Sequence, residues 1–340
     1  MGNKKNIIKK PGVKTLSIHH GETFSEETGC VMPPIFSTST FKHGNKGNFD
    51  YTRSGNPNFK ILENILKSIE ESKYCTIFGS GISAVTAITS SLKSGDKILC
   101  ESNLYGCTVR MFDKIFKKFG IEVLYTDFTN KENFKEIKDF HPTLIWLESP
   151  TNPLLKVLDI KLICDEANKY KIPVVLDNTF STALIQKPLE LGATLSLIST
   201  TKFINGHSDA LGGAVLTNNE EWNSKMLFSQ KALGLQPSPF DTWLITRGVK
   251  TLPLRIEQQT KSAEIISKEI ENHRIVGKVF YPFNQKHPQF DLAKSQMKSG
   301  GSMITLKLNL NKADTFKFCK SLRYFSLAES LGGVESLICH

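Results

Sequence analysis

Residues 74–92 read YCTIFGSGISAVTAITSSL: a short apolar strand, a turn punctuated by Gly79 and Gly81, then a helix. The same unit recurs outward. Upstream, Leu62, Ile65, Leu66 and Ile69 keep helical spacing. Downstream, KILC precedes a helix with Val109, Phe112, Phe116 and Phe119 on one face, stopped by Gly120. Then come VLYTD, TLIWLESP, a helix near 159–170, PVVLDNTF and LSLIST. Strands alternating with helices in this way predict an α/β layer with a mostly parallel sheet. Residues 1–58 read as an irregular arm, rich in Ser, Thr, Gly and Pro. Past residue 245 the texture changes to a long helical stretch, then strand-like KVFY and MITLKLNL, then helical KADTFKFCKSL. The expected organisation is an arm over 1–58, an α/β domain over 59–245 and an α+β domain over 246–340.

Composition narrows the class. A chain of 340 residues, 39% hydrophobic and 22% charged, can bury a substantial core and is neither disordered nor membrane-spanning in character. No apolar run approaches the ~20 residues of a spanning helix. The basic start MGNKKNIIKKPG lacks a signal-peptide core, and Asn6 stands where a myristoylation motif needs Ser or Thr. A cytosolic address is expected. Seven scattered cysteines without a CxxC give neither a disulfide framework nor a zinc spacing, and His19-His20 has no metal-binding companions nearby. The net charge of +10 comes from lysines dispersed through helical segments, without a basic-aromatic RNA-binding signature. That dispersion argues against nucleic acid and suits an anionic substrate or cofactor.

Open α/β sheets place ligands at the carboxyl ends of their strands. Those ends carry Gly79-Ser80-Gly81, Glu148-Ser149-Pro150, Asp177-Asn178 and Ser199-Thr200-Thr201-Lys202. Alone, GSGISA matches a dinucleotide turn, with Glu101 about twenty residues on as the ribose acid. Any strand–glycine–helix turn can hold a phosphate, so the loop points only to an anion. Alone, Lys202 reads as a strand end reaching water, and Asp177 as a turn residue. Together they match what pyridoxal phosphate requires. A lysine amine holds its aldehyde, a carboxylate keeps its ring nitrogen protonated, and helix-end amides with hydroxyls take its phosphate.

FDYTRSGNPN, GSGISA, LYGCT, ESPTNP, VVLDNTF, STTKFINGHSD and AESLGGVESL resemble, in order, the motifs of the pyridoxal-phosphate enzymes of cystathionine and methionine metabolism. The resemblance covers nearly the whole chain. It implies an aspartate-aminotransferase-like fold (fold type I) and a homo-oligomer, a dimer of dimers with sites shared across subunits. It also implies roles. Lys202 would be the cofactor lysine and Asp177 the ring-nitrogen partner. Gly81, Ile82, Ser199 and Thr201 would bind the phosphate, with Tyr51 and Arg53 reaching it from a neighbouring subunit. Tyr105 would stack on the ring and move protons, and Asn152 would meet the ring hydroxyl and the substrate carboxylate.

Local features divide on the reaction. Cys107 is similar to methionine γ-lyases. Glu329, before Ser330, is similar to cystathionine enzymes, where a carboxylate would bind the distal ammonium that methionine lacks. Asp50 is a second such carboxylate, and Arg110 a carboxylate binder. LQPSPFDTWLITRGVKTLPLRIE resembles γ-lyases more than γ-synthases. The expectation is cleavage of L-cystathionine to L-cysteine, 2-oxobutanoate and ammonia, with cystathionine γ-synthase and methionine γ-lyase as alternatives. The family continues beyond the SLGG motif and supplies an arginine for the substrate α-carboxylate. Arg247, Arg255, Arg274 and Arg323 lie outside the matching motif. A truncated C-terminal domain is therefore expected, and a cofactor-loaded inactive chain is the non-enzyme alternative.

Overall fold

The computed structural model describes residues 11–20 and 29–340; the Met-Gly start falls outside them. Seven strands form the central sheet: β1 (Tyr74–Phe78), β2 (Lys97–Glu101), β3 (Glu122–Thr126), β4 (Leu144–Glu148), β5 (Val174–Asp177), β6 (Leu195–Ile198) and β7 (Gly213–Thr217). Their order is β1-β7-β6-β5-β4-β2-β3. Only β7 is antiparallel, to both β1 and β6; the remaining pairs are parallel. Parallel neighbours need crossovers, and the helices Gly106–Lys114, between β2 and β3, and Ile160–Lys169, between β4 and β5, supply two of them.

Both faces of the sheet are covered, which is why its strands read as unbroken apolar runs. In β4, Leu144 and Trp146 join Phe112 and Val175 on one face. Ile145 and Leu147 join Leu176 and Ile163 on the other. The mostly parallel α/β sheet expected from the alternation is present. β7 was not anticipated, because it starts at Gly213 directly after Gly212, a pair that reads as a turn. Phe119 is a correction. The helix ends at Lys114, and the chain tightens into a 3₁₀ turn over Phe116–Phe119. The break at Ile115 (φ -115°, ψ -66°) turns the chain off the helix axis, so the helical stripe ends there: Phe116 is buried, and Phe119 is 66% exposed.

Beyond the sheet, helices Pro239–Val249 and Leu252–Glu269 precede the antiparallel pair β8 (Val276–Phe280) and β9 (Thr305–Leu308). Helix Lys312–Ser321 then leads to the short parallel pair β10 (Ser326–Leu327) and β11 (Leu337–Ile338). The arm is tied down by polar contacts: Asn58 accepts from Phe36 N at 2.8 Å and donates to Pro34 O at 2.9 Å. Trp243 Nε1 donates to Pro33 O at 2.8 Å. Among the described residues, no helix is long and apolar enough to cross a membrane.

Candidate active site

The carboxyl edge of the sheet gathers most of the residues singled out by sequence. At β1, Ser80 caps the helix Gly81–Thr89 by accepting from Ser83 N. The N–H groups of Gly81 and Ile82 precede the first intrahelical bonds and point outward as anion donors. The position admits only glycine. A Cβ on Gly81 would lie 2.9 Å from Ser199 Cβ and 3.0 Å from its Oγ, so the loop and the Ser199 hydroxyl share one cradle. Gly213 closes the other side, where a Cβ would meet Ser80 O at 2.3 Å. Thr201 is differently placed. Its hydroxyl donates to Gly212 O at 3.2 Å and accepts from Gly212 N at 3.0 Å, bracing the loop to β7.

Asp177 ends β5 and is 9% exposed. Thr179 N and Oγ1 both donate to its Oδ1, at 3.0 and 2.6 Å, leaving Oδ2 for another partner. Burial raises its carboxyl above the ordinary value, against the Thr179 hydrogen bonds that lower it. Lys202 follows β6, and its Nζ donates to Ser330 Oγ at 2.9 Å. Burial lowers its ammonium pKa, opposed by the nearby Glu329 carboxylate. Segment 328–336, bracketed by β10 and β11, thus lies over the lysine. A Cβ on Gly332 would meet Phe203 N at 2.7 Å, and Gln259 Nε2 holds Gly333 O at 2.8 Å.

Tyr105 precedes the helix Gly106–Lys114 and keeps 43% exposure. The Cys107 thiol, partial burial and Glu329 push its hydroxyl up to about 12, against Arg110, which lowers it. Arg110 Nη1 lies 3.5 Å from Cys107 Sγ. Glu329 therefore acts on both Lys202 and Tyr105.

Tyr51 and Arg53 are not brought to this cluster. Arg53 sits over the Tyr51 ring, 5.5 Å from its centroid, and donates to Lys231 O at 2.7 Å. Asp50 Oδ1 accepts from Tyr51 N at 2.6 Å. The dinucleotide alternative fails at Glu101. That carboxylate is fully buried and takes Ser102 Oγ, Asn103 N and Phe128 N, with Lys156 Nζ at 3.6 Å. No part of it is left for a ribose.

Two residues went unassigned in the sequence. Glu148, at the end of β4, pairs in register with Asp177. Its oxygens accept Tyr105 N at 2.8 Å and Asn152 N at 2.9 Å. Arg255 is buried, and burial brings its guanidinium down to about 10, which leaves it charged at neutral pH. It donates to Phe203 O, Ile204 O and Gly248 O, and to Thr251 Oγ1, at 2.6–3.1 Å. It clamps the loop that follows Lys202. A carboxylate closing a wholly apolar strand was the available signal for Glu148; Arg255 offered none.

A half-buried lysine, a buried aspartate with one open oxygen and helix-end amides beside a free serine hydroxyl fit pyridoxal phosphate in charge and donor type. On a mostly parallel sheet they define a fold type I enzyme that uses this cofactor. Residues 14–340 match the Cys/Met metabolism PLP-dependent enzymes, and the chain belongs to that family. Pyridoxal 5'-phosphate is its cofactor and carbon–sulfur chemistry on amino acids its class of reaction. The cystathionine γ-lyase of Dictyostelium discoideum is 40% identical over 96% of this chain and 85% of its own length. A cystathionine β-lyase of Lactococcus lactis subsp. cremoris is 40% identical over 96% and 86%. The cystathionine γ-synthase of Xanthomonas oryzae pv. oryzae, solved in complex with cystathionine, superposes with a TM-score of 0.94. It is 37% identical, over 97% of this chain and 87% of that one.

Proposed function

We propose that the chain is a cystathionine γ-lyase, using water to convert L-cystathionine to L-cysteine, 2-oxobutanoate and ammonia. In this assignment Lys202 holds the cofactor aldehyde and Asp177 the ring nitrogen. The Gly81 and Ile82 amides, with Ser199 and the neighbouring Thr201, hold the phosphate. Asn152 meets the ring hydroxyl, and Asn152, Ser330 and Arg110 receive substrate carboxylates. The bound cofactor supplies an electron sink for the charge developed at the substrate α- and β-carbons.

The remaining chemistry belongs to side chains. Burial favours the neutral amine of Lys202, the form that takes a proton from carbon. Tyr105, pushed up to about 12, keeps its proton at neutral pH and can deliver it to the leaving thiolate. The observation that favours cystathionine over methionine is Glu329, an exposed carboxylate acting on both Lys202 and Tyr105. A carboxylate there pairs with a distal ammonium, which methionine lacks.

The test is turnover of L-cystathionine with product analysis. Cysteine with 2-oxobutanoate supports the γ-lyase. Homocysteine with pyruvate would make it a β-lyase, and turnover of methionine alone would overturn the role of Glu329. Glu329→Ala should lower kcat/KM for cystathionine about 10–100-fold, a loss of ~1.4–2.8 kcal/mol, and leave methionine turnover nearly unchanged. Equal losses on both substrates would remove the argument from Glu329.

The assignment includes a homo-oligomer in which Tyr51 and Arg53 of one subunit serve the site of the next. The helix bonded to Arg53 through Lys231 O exposes Leu227, Phe228 and Leu233, with Phe228 at 73%. An apolar strip of that kind marks a contact surface. Lys202→Ala and Arg53→Ala chains, each inactive alone, should recover about a quarter of wild-type activity when refolded together, because half of a random dimer population has one intact site. No recovery would place Arg53 in its own subunit's structure only.

A further inference from the structure

Glu148 is a carboxylate 5% exposed, with no lysine or arginine within 4.0 Å of it among the described residues. Burying it in that way is costly, and its two oxygens show what the burial supports. Oε2 accepts the N–H of Tyr105, from the loop after β2, and Oε1 accepts the N–H of Asn152, from the loop after β4. Across the strand pair stands Asp177. One side chain thus joins two loops far apart in sequence, beside the residue assigned to the ring nitrogen. A glutamine has a single acceptor oxygen and would turn an N–H toward one of these donors.

We propose that Glu148 is a positioning residue for the reaction, setting Tyr105 and Asn152 in one frame through their backbone amides. The proposal rests on the roles assigned above to those two residues. The hydrogen bonds of Glu148 go to these two backbone amides, and through them it fixes where the Tyr105 ring and the Asn152 amide begin. Small displacements of such groups lower turnover steeply.

The experiment uses Glu148→Gln, Glu148→Asp, Tyr105→Phe and the Glu148→Gln/Tyr105→Phe double variant, each as holoenzyme. Glu148→Gln should bind pyridoxal phosphate at wild-type stoichiometry and lose about 10–100-fold in kcat. The visible circular dichroism of the bound cofactor should change, because the ring's asymmetric surroundings have moved. The double variant should lose less than the product of the two single losses, since part of what Glu148 does passes through Tyr105. Wild-type kcat and dichroism in Glu148→Gln, or fully additive losses in the double variant, would overturn the proposal. If Tyr105→Phe leaves turnover intact, the role of Tyr105 fails, and the dichroism of Glu148→Gln still decides the positioning of the cofactor's surroundings. If Glu148→Gln does not fold, Glu148→Asp decides. It keeps both acceptor oxygens on a shorter stem and should lose at least about tenfold in kcat with its melting temperature nearly unchanged; wild-type kcat there would overturn the proposal.

Discussion

Lys202→Ala is expected to give a protein without the visible band of covalently held pyridoxal phosphate and with turnover lowered about 10⁴-fold or more. The amine lies between Ser330 Oγ at 2.9 Å and the field of Glu329, and no neighbouring lysine is offered at the same strand end. Borohydride reduction of the wild-type holoenzyme, followed by peptide mass analysis, should place the label on the peptide carrying Lys202 and on no other. A label elsewhere, or a visible band surviving in the variant, would sink the assignment independently of any activity measurement. Because Ser330 is Lys202's hydrogen-bonding partner, the same substitution should also loosen segment 328–336, which proteolysis can follow.

Arg255→Met should be the most destabilising single change away from the cofactor. The guanidinium bonds three buried carbonyls and a threonine hydroxyl at once; methionine would leave Phe203 O and Ile204 O without a donor, while Gly248 O keeps Thr251 N and Oγ1. Buried acceptors left unpaired cost about 1–3 kcal/mol each. Partial relaxation reduces the sum to roughly 3–5 kcal/mol, a melting temperature lower by on the order of 5–10 °C. Arg255→Lys should recover less than half of this, since an ammonium cannot reach carbonyls spread around a planar fork. A melting temperature within about 2 °C of wild type for Arg255→Met would show that the loop after Lys202 does not depend on the clamp. Gly206 is part of the same arrangement: at φ +69°, a Cβ there would meet Arg255 Nη1 at 1.9 Å.

What the sequence revealed and what it hid have a common cause. Lys202, Asp177 and the Gly81 loop follow apolar runs, so their chemistry stands out at the strand ends, and the sheet that places them follows from the same alternation. Glu148 was visible as a strand-end acid, but its partners are backbone amides, which bear no residue identity. Arg255 sits in the helix Leu252–Glu269 among glutamines and lysines, where a buried cation looks like any solvated one. β7 hid behind two glycines whose absence of side chains is the reason it can pack on Thr200 and Ser80. Phe119 misled because the helix break at Ile115 leaves no mark in hydrophobic spacing.

The cradle bounded by Gly81, Gly213 and Ser199 has little side chain in it to alter. Mutation has no graded way to tune it: a larger group at either glycine collides with its neighbours, and the amides donate the same hydrogen bonds whatever the residue. In the proposed assignment a change of reaction would fall at the rim instead, where Cys107, Arg110 and Glu329 offer side chains that substitution can alter. On that assignment the reaction could change there while the grip on the anion stays fixed. That separation gives a physical reason why proteins superposing this closely divide among lyases and a synthase.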